Sequence, residues 1–160
     1  MSQFVIYALP VAEGILGIAP MPGRGGHWDD DLQHLADWKP ALVLSMTTVS
    51  EQVSHGLTEM GAEIQDKGTR WIHLPVEDMG VPGPERIEDW HVASKTALAA
   101  LQGGGRVLIH CFGGCGRSGM AALRLMVEAG EDADAALERL RAVRPCAVET
   151  DDQLRWARAG

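Results

Sequence analysis

The stretch from Val107 to Gly119 constrains this chain more than any other. An apolar, β-branched run ends at His110, a loop with three glycines in five positions follows, and an almost wholly apolar run starts at Met120. Such a succession predicts a strand, a tight loop and a buried helix. Between Cys111 and Arg117 lie Phe112, Gly113, Gly114, Cys115 and Gly116, small enough on average for the backbone to curl round a ligand with its amides inward. A helix starting near Arg117 adds its positive end, so the turn reads as an anion cradle for a phosphate-sized group. Arg117 would grip two oxygens through its guanidinium fork, and Cys111 at the bottom would face the phosphorus. That positive field favours the thiolate, the nucleophilic form of cysteine. His110 and the Ser118 hydroxyl are placed to orient the loop or to stabilise the sulfur.

The motif His110-Cys111-x5-Arg117-Ser118 resembles the signature of the cysteine-dependent protein tyrosine phosphatase superfamily. Its loop is most similar to the dual-specificity branch around the cyclin-dependent kinase-associated phosphatase. This resemblance implies an α/β domain with a central, mostly parallel sheet of about four to five strands flanked by helices. It implies a phosphomonoester hydrolase that works through a phosphocysteine and needs neither metal nor cofactor. It also implies a general acid on an upstream loop, where Pro75-x-x-Asp78 matches the family pattern, with Glu77 the alternative, and a role for Ser118 in easing departure of the sulfur. Where the family carries a Gln that positions the hydrolytic water, this chain has Glu149. Gln153 is a possible substitute, or simply the third helical residue of a capping box opened by Thr150.

Length and composition fit one domain over residues 1–160: 46% of the chain is hydrophobic and 22% charged, enough for a single core and too short for two. Fourteen basic against twenty-two acidic residues give a net charge of −8, which argues against a nucleic-acid surface and makes any phosphate site a focused one. The absence of Lys and Arg between Cys111 and Arg117 favours a phosphorylated protein or peptide over a highly phosphorylated inositide. A monomer is expected. Three cysteines without C-x2-C spacing argue against structural zinc, and the N-terminal residues lack the basic and apolar parts of a leader, so a cytoplasmic location is expected. No apolar run is long enough to span a membrane. Cys115 reads as a small apolar filler, or as a disulfide partner for an oxidised Cys111; nothing places Cys146 near either.

Strands are expected at Phe4–Tyr7, Gly14–Ala19, Ala41–Ser45, Thr69–Leu74 and Arg106–His110. If the last four share one parallel sheet, their carboxyl ends bring the loops at Pro20–Gly26, Met46–Ser50, Pro75–Pro84 and Cys111–Arg117 to one edge, where α/β sheets bind ligands. Asp78 and Cys111 would then face one pocket. Arg24 at that edge reads as an ordinary solvated arginine, and Asp29-Asp30-Asp31 as acidic residues of a helix start. The Pro75–Pro84 loop holds Val76, Met79 and Val81, unusual for a solvated turn, and is expected to pack over something or close like a lid. Two other functions fit a cysteine loop of this kind: an inactive phosphatase-fold module that captures phosphorylated partners, and a sulfur- or arsenate-handling enzyme.

Overall fold

Two strands with no exposed apolar face organise the sheet in the computed structural model, which describes residues 3–160. In β5 (Arg106–His110), Val107 and Ile109 enter one core and Leu108 the other; in β3 (Leu42–Ser45), Leu42 and Leu44 oppose Val43 in the same way. Strands buried on both faces belong in the middle of a sheet. The order is β1-β2-β5-β3-β4, with β1 at Tyr7–Val11, β2 at Gly14–Ala19 and β4 at Arg70–His73. β1 runs antiparallel at one edge and the other four strands are parallel. The expected α/β class with a mostly parallel sheet is therefore the observed one.

The first strand needs correction. It spans Tyr7–Val11 rather than Phe4–Tyr7, and includes Pro10. Proline lacks the N–H that a central strand must donate, but β1 pairs only with β2, so an edge position accommodates it. Phe4 instead packs its ring into the core beneath α1 (Trp28–Asp37). Met1 and Ser2, the start of the stretch read as lacking a leader, lie outside the described residues.

One face of the sheet is covered by α1 and α3 (Met60–Asp66), through Leu32, Leu35, Met60 and Ile64. The other carries α4 (Ile87–Gln102), α5 (Gly116–Glu128), α6 (Ala133–Val143) and α7 (Asp151–Arg158). A short α2 (Val49–Ser54) starts at the Thr48 capping box. In α5 every residue from Gly116 to Met126 is buried, and a buried Leu or Met contributes about 1.5–3 kcal/mol. Polar residues in that run need partners. Arg124 has them: it donates to Glu128 and to the Trp156 carbonyl and lies 4.4 Å from the Trp156 ring centre. Arg117 and Ser118, at the other end, point to the carboxyl edge of the sheet. No helix among the described residues is long and apolar enough to cross a membrane.

Candidate functional site

The loop after β5 turns its amides and its carbonyls in opposite directions. Gly114 N–H donates to Cys111 Sγ at 3.3 Å, and the sulfur lies 3.2 Å from Ser118 Oγ. Among the described residues, the amides of Phe112, Gly113 and Cys115 donate to no other backbone group and to no side chain. These donors, together with the start of α5, leave a buried thiol in a ring of N–H groups that suits a tetrahedral anion. Gly114 sits at φ +75°, and a Cβ there would lie 2.6 Å from Pro20 N. Glycine is thus required both by its backbone conformation and by the close approach of β2's end.

Arg117 is fully buried and held from behind. Its Nη1 and Nη2 donate to Glu51 Oε1 and Oε2 at 2.7 and 2.9 Å, and Nη1 also donates to the Val76 carbonyl at 2.8 Å. Nε has no partner. A guanidinium has five N–H groups in a plane, so the edge left for a ligand is Nε with the second N–H of Nη2. Asp78 Oδ1 lies 3.6 Å from that Nη2, and its carboxylate is 71% exposed, so it stands at the mouth rather than in the floor. Burial by itself would push the Glu51 carboxyl up, but the Arg117 and Thr48 hydrogen bonds and the arginine's charge outweigh it and hold the carboxyl below its ordinary range. For Arg117, burial opposes the charge and the bond to Glu51 more than restores it, leaving the guanidinium above its usual value.

His110 closes a polar chain behind the nucleophile. Nδ1 lies 3.2 Å from the Cys111 carbonyl, which can only accept, so Nδ1 carries the proton. Nε2 then accepts from Ser45 Oγ at 2.5 Å, and Ser45 in turn accepts from Trp71 Nε1 at 2.8 Å. Burial pushes His110 down to about 4, in keeping with this neutral tautomer.

The back of the loop corrects the reading of Cys115. It is neither a filler nor a partner of Cys111: Cys115 and Cys146 form a disulfide, with Cα atoms 5.2 Å apart, and Cys111 is the free thiol. The turn after α6 brings Cys146 back, and Val148 N–H donates to the Cys115 carbonyl at 3.2 Å. Arg24 also differs from its solvated reading, donating to the Phe112 carbonyl at 3.1 Å with its guanidinium 4.7 Å from that ring's centre.

Two residues from the tail reach the same edge. Gln153 completes the Thr150 capping box, as its spacing predicts, and is fully buried. Its Oε1 accepts from the Glu149 and Thr150 amides, and its Nε2 donates to the Gly80 carbonyl of the Pro75–Pro84 loop. Glu149 is exposed, with its carboxylate against the loop: a Cβ on Gly116 would lie 2.4 Å from Glu149 Oε1. In the Pro75–Pro84 loop, Val76 is buried and Val81 packs on the core, while Met79 is 51% exposed.

Comparison with known proteins decides the family. Residues 21–159 match the model described as the Swiss Army Knife protein, DSP-PTPase phosphatase domain. The chain belongs to this family. Among solved structures it is similar to a kinase associated phosphatase (KAP) carrying serine in place of its catalytic-site cysteine, with TM-score 0.84 and 22% identity over 98% of this chain and 93% of that one. It is similar to Tk-PTP in its active form, with TM-score 0.72 and 27% identity over 90% of this chain and 89% of that one. A third likeness is to PTPMT1 in complex with PI(5)P, with TM-score 0.74 and 18% identity over 96% of this chain and 93% of that one. No curated protein matches the chain.

The matched residues take in Glu51, Asp78, Cys111, Arg117, Ser118 and Gln153. Cys111, Ser118, Arg117 and Asp78 come together at one edge, as the strand ends predict. Glu51, the third helical residue of the Thr48 capping box, stands at the same edge beyond β3. Arg144, which donates to the Gly113 and Gly114 carbonyls, had no sequence signal.

Proposed function

We propose that this chain is a phosphomonoester hydrolase of the protein tyrosine or dual-specificity type, acting on phosphorylated protein or peptide through a phosphocysteine. The observation that carries the reading is the open edge of Arg117. Glu51 and Val76 occupy the rear of the guanidinium, so the buried, unpartnered Nε and the second N–H of Nη2 are the donors left for an anion, with Asp78 beside Nη2. A binding module needs the cradle but neither nucleophile nor acid.

The groups then divide two steps among them. The Cys111 thiolate forms a bond to phosphorus as the ester P–O bond breaks, and Asp78, protonated, gives its proton to the departing oxygen. Arg117 and the loop amides hold the equatorial oxygens, and hold them best in the transition state. Water then attacks the phosphocysteine, Asp78 takes its proton, and the P–S bond breaks with the Ser118 hydroxyl donating to the leaving sulfur. Gln153, with its carbonyl used twice, ties the acid loop through one amide hydrogen to Gly80 and keeps a second N–H beside the phosphate loop at Gly116. The loop carries no internal cation, which favours phosphoprotein.

Hydrolysis of para-nitrophenyl phosphate, of phosphotyrosine and phosphoserine peptides, and of a phosphoinositide tests the proposal on wild type, Cys111→Ser and Asp78→Asn with EDTA present. Wild-type turnover, loss in Cys111→Ser and a fall of about 100-fold or more in Asp78→Asn are expected. Activity retained by Cys111→Ser overturns the mechanism, and a preference for the phosphoinositide overturns the substrate class.

A further inference from the structure

The back of the phosphate loop is built more firmly than a cradle for an anion requires. The carbonyls of residues 111 to 115 each receive a donor from outside the loop. His110 Nδ1 serves Cys111, Met21 N–H and Arg24 serve Phe112, and Val148 and Gly119 amides serve Cys115. The two in the middle depend on one side chain: Arg144 Nη2 donates to Gly113 O and Nε to Gly114 O, both at 3.1 Å.

Peptide planarity turns this into a statement about the front of the loop. The carbonyl of one residue and the N–H of the next share a rigid plane and point in opposite directions. Holding Gly113 O outward therefore holds Gly114 N–H inward, and that amide is the one 3.3 Å from Cys111 Sγ. Holding Gly114 O does the same for the Cys115 amide. A cation at the carbonyl end of each plane also polarises the N–H at the other end.

Arg144 is the C-cap of α6: its N–H donates to the Leu140 carbonyl and its own carbonyl accepts from Ala147 N–H, both at 2.9 Å. Its guanidinium rests 4.2 Å from the Tyr7 ring centre, and the segment that carries it is fastened two residues later by the Cys115–Cys146 disulfide. Cys146 is exposed, so a reductant in solution reaches the disulfide from its side.

We propose that Arg144 is a positioning residue that turns the Gly114 and Cys115 amides toward the bound oxyanion, and that the Cys115–Cys146 disulfide is the latch that keeps it there. The proposal rests on the phosphatase reading for its effect on turnover. A dithiol opens the latch: its thiolate attacks Cys146 Sγ, the S–S bond breaks, and Cys115 leaves as a thiolate and takes a proton. The second thiolate of the reductant then displaces Cys146, which is likewise protonated, and the reductant leaves as a cyclic disulfide. Two electrons pass to the cystine and two thiols result.

Calorimetric titration with tungstate, an inert tetrahedral oxyanion, reads the cradle without requiring turnover. Kinetics on para-nitrophenyl phosphate read kcat and KM separately. For Arg144→Met the expected result is tungstate binding weakened about tenfold and kcat lowered more than KM is raised, with the far-ultraviolet spectrum of a folded chain. Arg144→Lys, which reaches one carbonyl but lacks the fork, falls between the two. Wild type reduced with dithiothreitol and desalted, and Cys146→Ser, shift in the same direction by a smaller factor.

Wild-type tungstate affinity in Arg144→Met and Arg144→Lys overturns the positioning role. Equal affinity in oxidised and reduced wild type, with thiol titration rising from one to three per chain, overturns the latch. If Arg144→Met does not fold, the lysine variant and reduction of wild type decide the same questions. If wild type binds tungstate but turns nothing over, the phosphatase reading fails while the calorimetric comparison still judges Arg144.

Discussion

Glu51 shows how much of the chemistry depends on a residue that never meets the substrate. Both of its oxygens are committed to Arg117, and the arginine is 1% exposed. Replacing Glu51 with Gln removes the charge and one of two parallel acceptors, so the guanidinium loses its fixed orientation. A fall in kcat/KM of about tenfold to a hundredfold is expected, larger for kcat than for KM, as steady-state kinetics would show. Glu51→Ala goes further, leaving a buried cation short of its partner, and urea denaturation should show a loss of about 2 kcal/mol, less than for a fully buried pair because the Glu51 side chain keeps 23% exposure. His110 works at the same scale with opposite economy of charge. Its neutral ring ends a Trp71–Ser45–His110 chain and passes it on to the Cys111 carbonyl, each donor having one acceptor.

At the scale of elements, the loop from Cys111 to Gly116 is shaped by what packs against it. Gly114→Ala places a methyl group 2.6 Å from Pro20 N at a positive φ, so either the loop or the end of β2 must move. Tungstate binding and turnover should both fall at least a hundredfold while the secondary structure content holds, measured by calorimetry, kinetics and circular dichroism. The disulfide joins this loop to the segment after α6 across a sequence separation of 31 residues. Closing a loop of that length removes unfolded-state entropy worth about 3–4 kcal/mol. Reduction should therefore lower the melting temperature by roughly 10 °C in a scanning calorimeter, and an unchanged value would mean that the reduced chain keeps the same closure by other contacts.

For the whole molecule, pH acts through groups whose protonation differs between folded and unfolded chain. His110 is held at about 4 by burial against 6.5 when exposed. Between those values the unfolded chain binds a proton that the folded chain does not, so stability is full above about pH 6.5 and falls as the pH drops toward 4, by of the order of 3 kcal/mol. Glu51, also depressed, adds its loss below its ordinary value of 4.5, in the same direction. Urea midpoints should thus decline steadily from pH 7 to pH 4, and His110→Asn should flatten the upper part of that decline.

What could be read from the chain alone is what neighbours in sequence decide. The strand, loop and helix from Val107 onward hold nucleophile, cradle and arginine within seven consecutive positions, so their chemistry was visible without a fold. The Thr150 capping box is an i, i+3 contact and was equally plain. The continuous apolar run of β3 announced a strand covered on both faces of a parallel sheet, and from the shared carboxyl edge followed the expectation that Asp78 and Cys111 face one pocket. The rest waited for the tertiary structure. Glu51 and Arg117 lie 66 residues apart, Arg144 and Gly114 30, and Cys115 and Cys146 31. No periodicity or local propensity records such pairs, because they exist only once the order β1-β2-β5-β3-β4 has brought four strand ends to one edge and α6 has returned the chain behind the loop. Local backbone preferences and burial pattern determined which group attacks; the packing of distant segments decided which groups hold it in place.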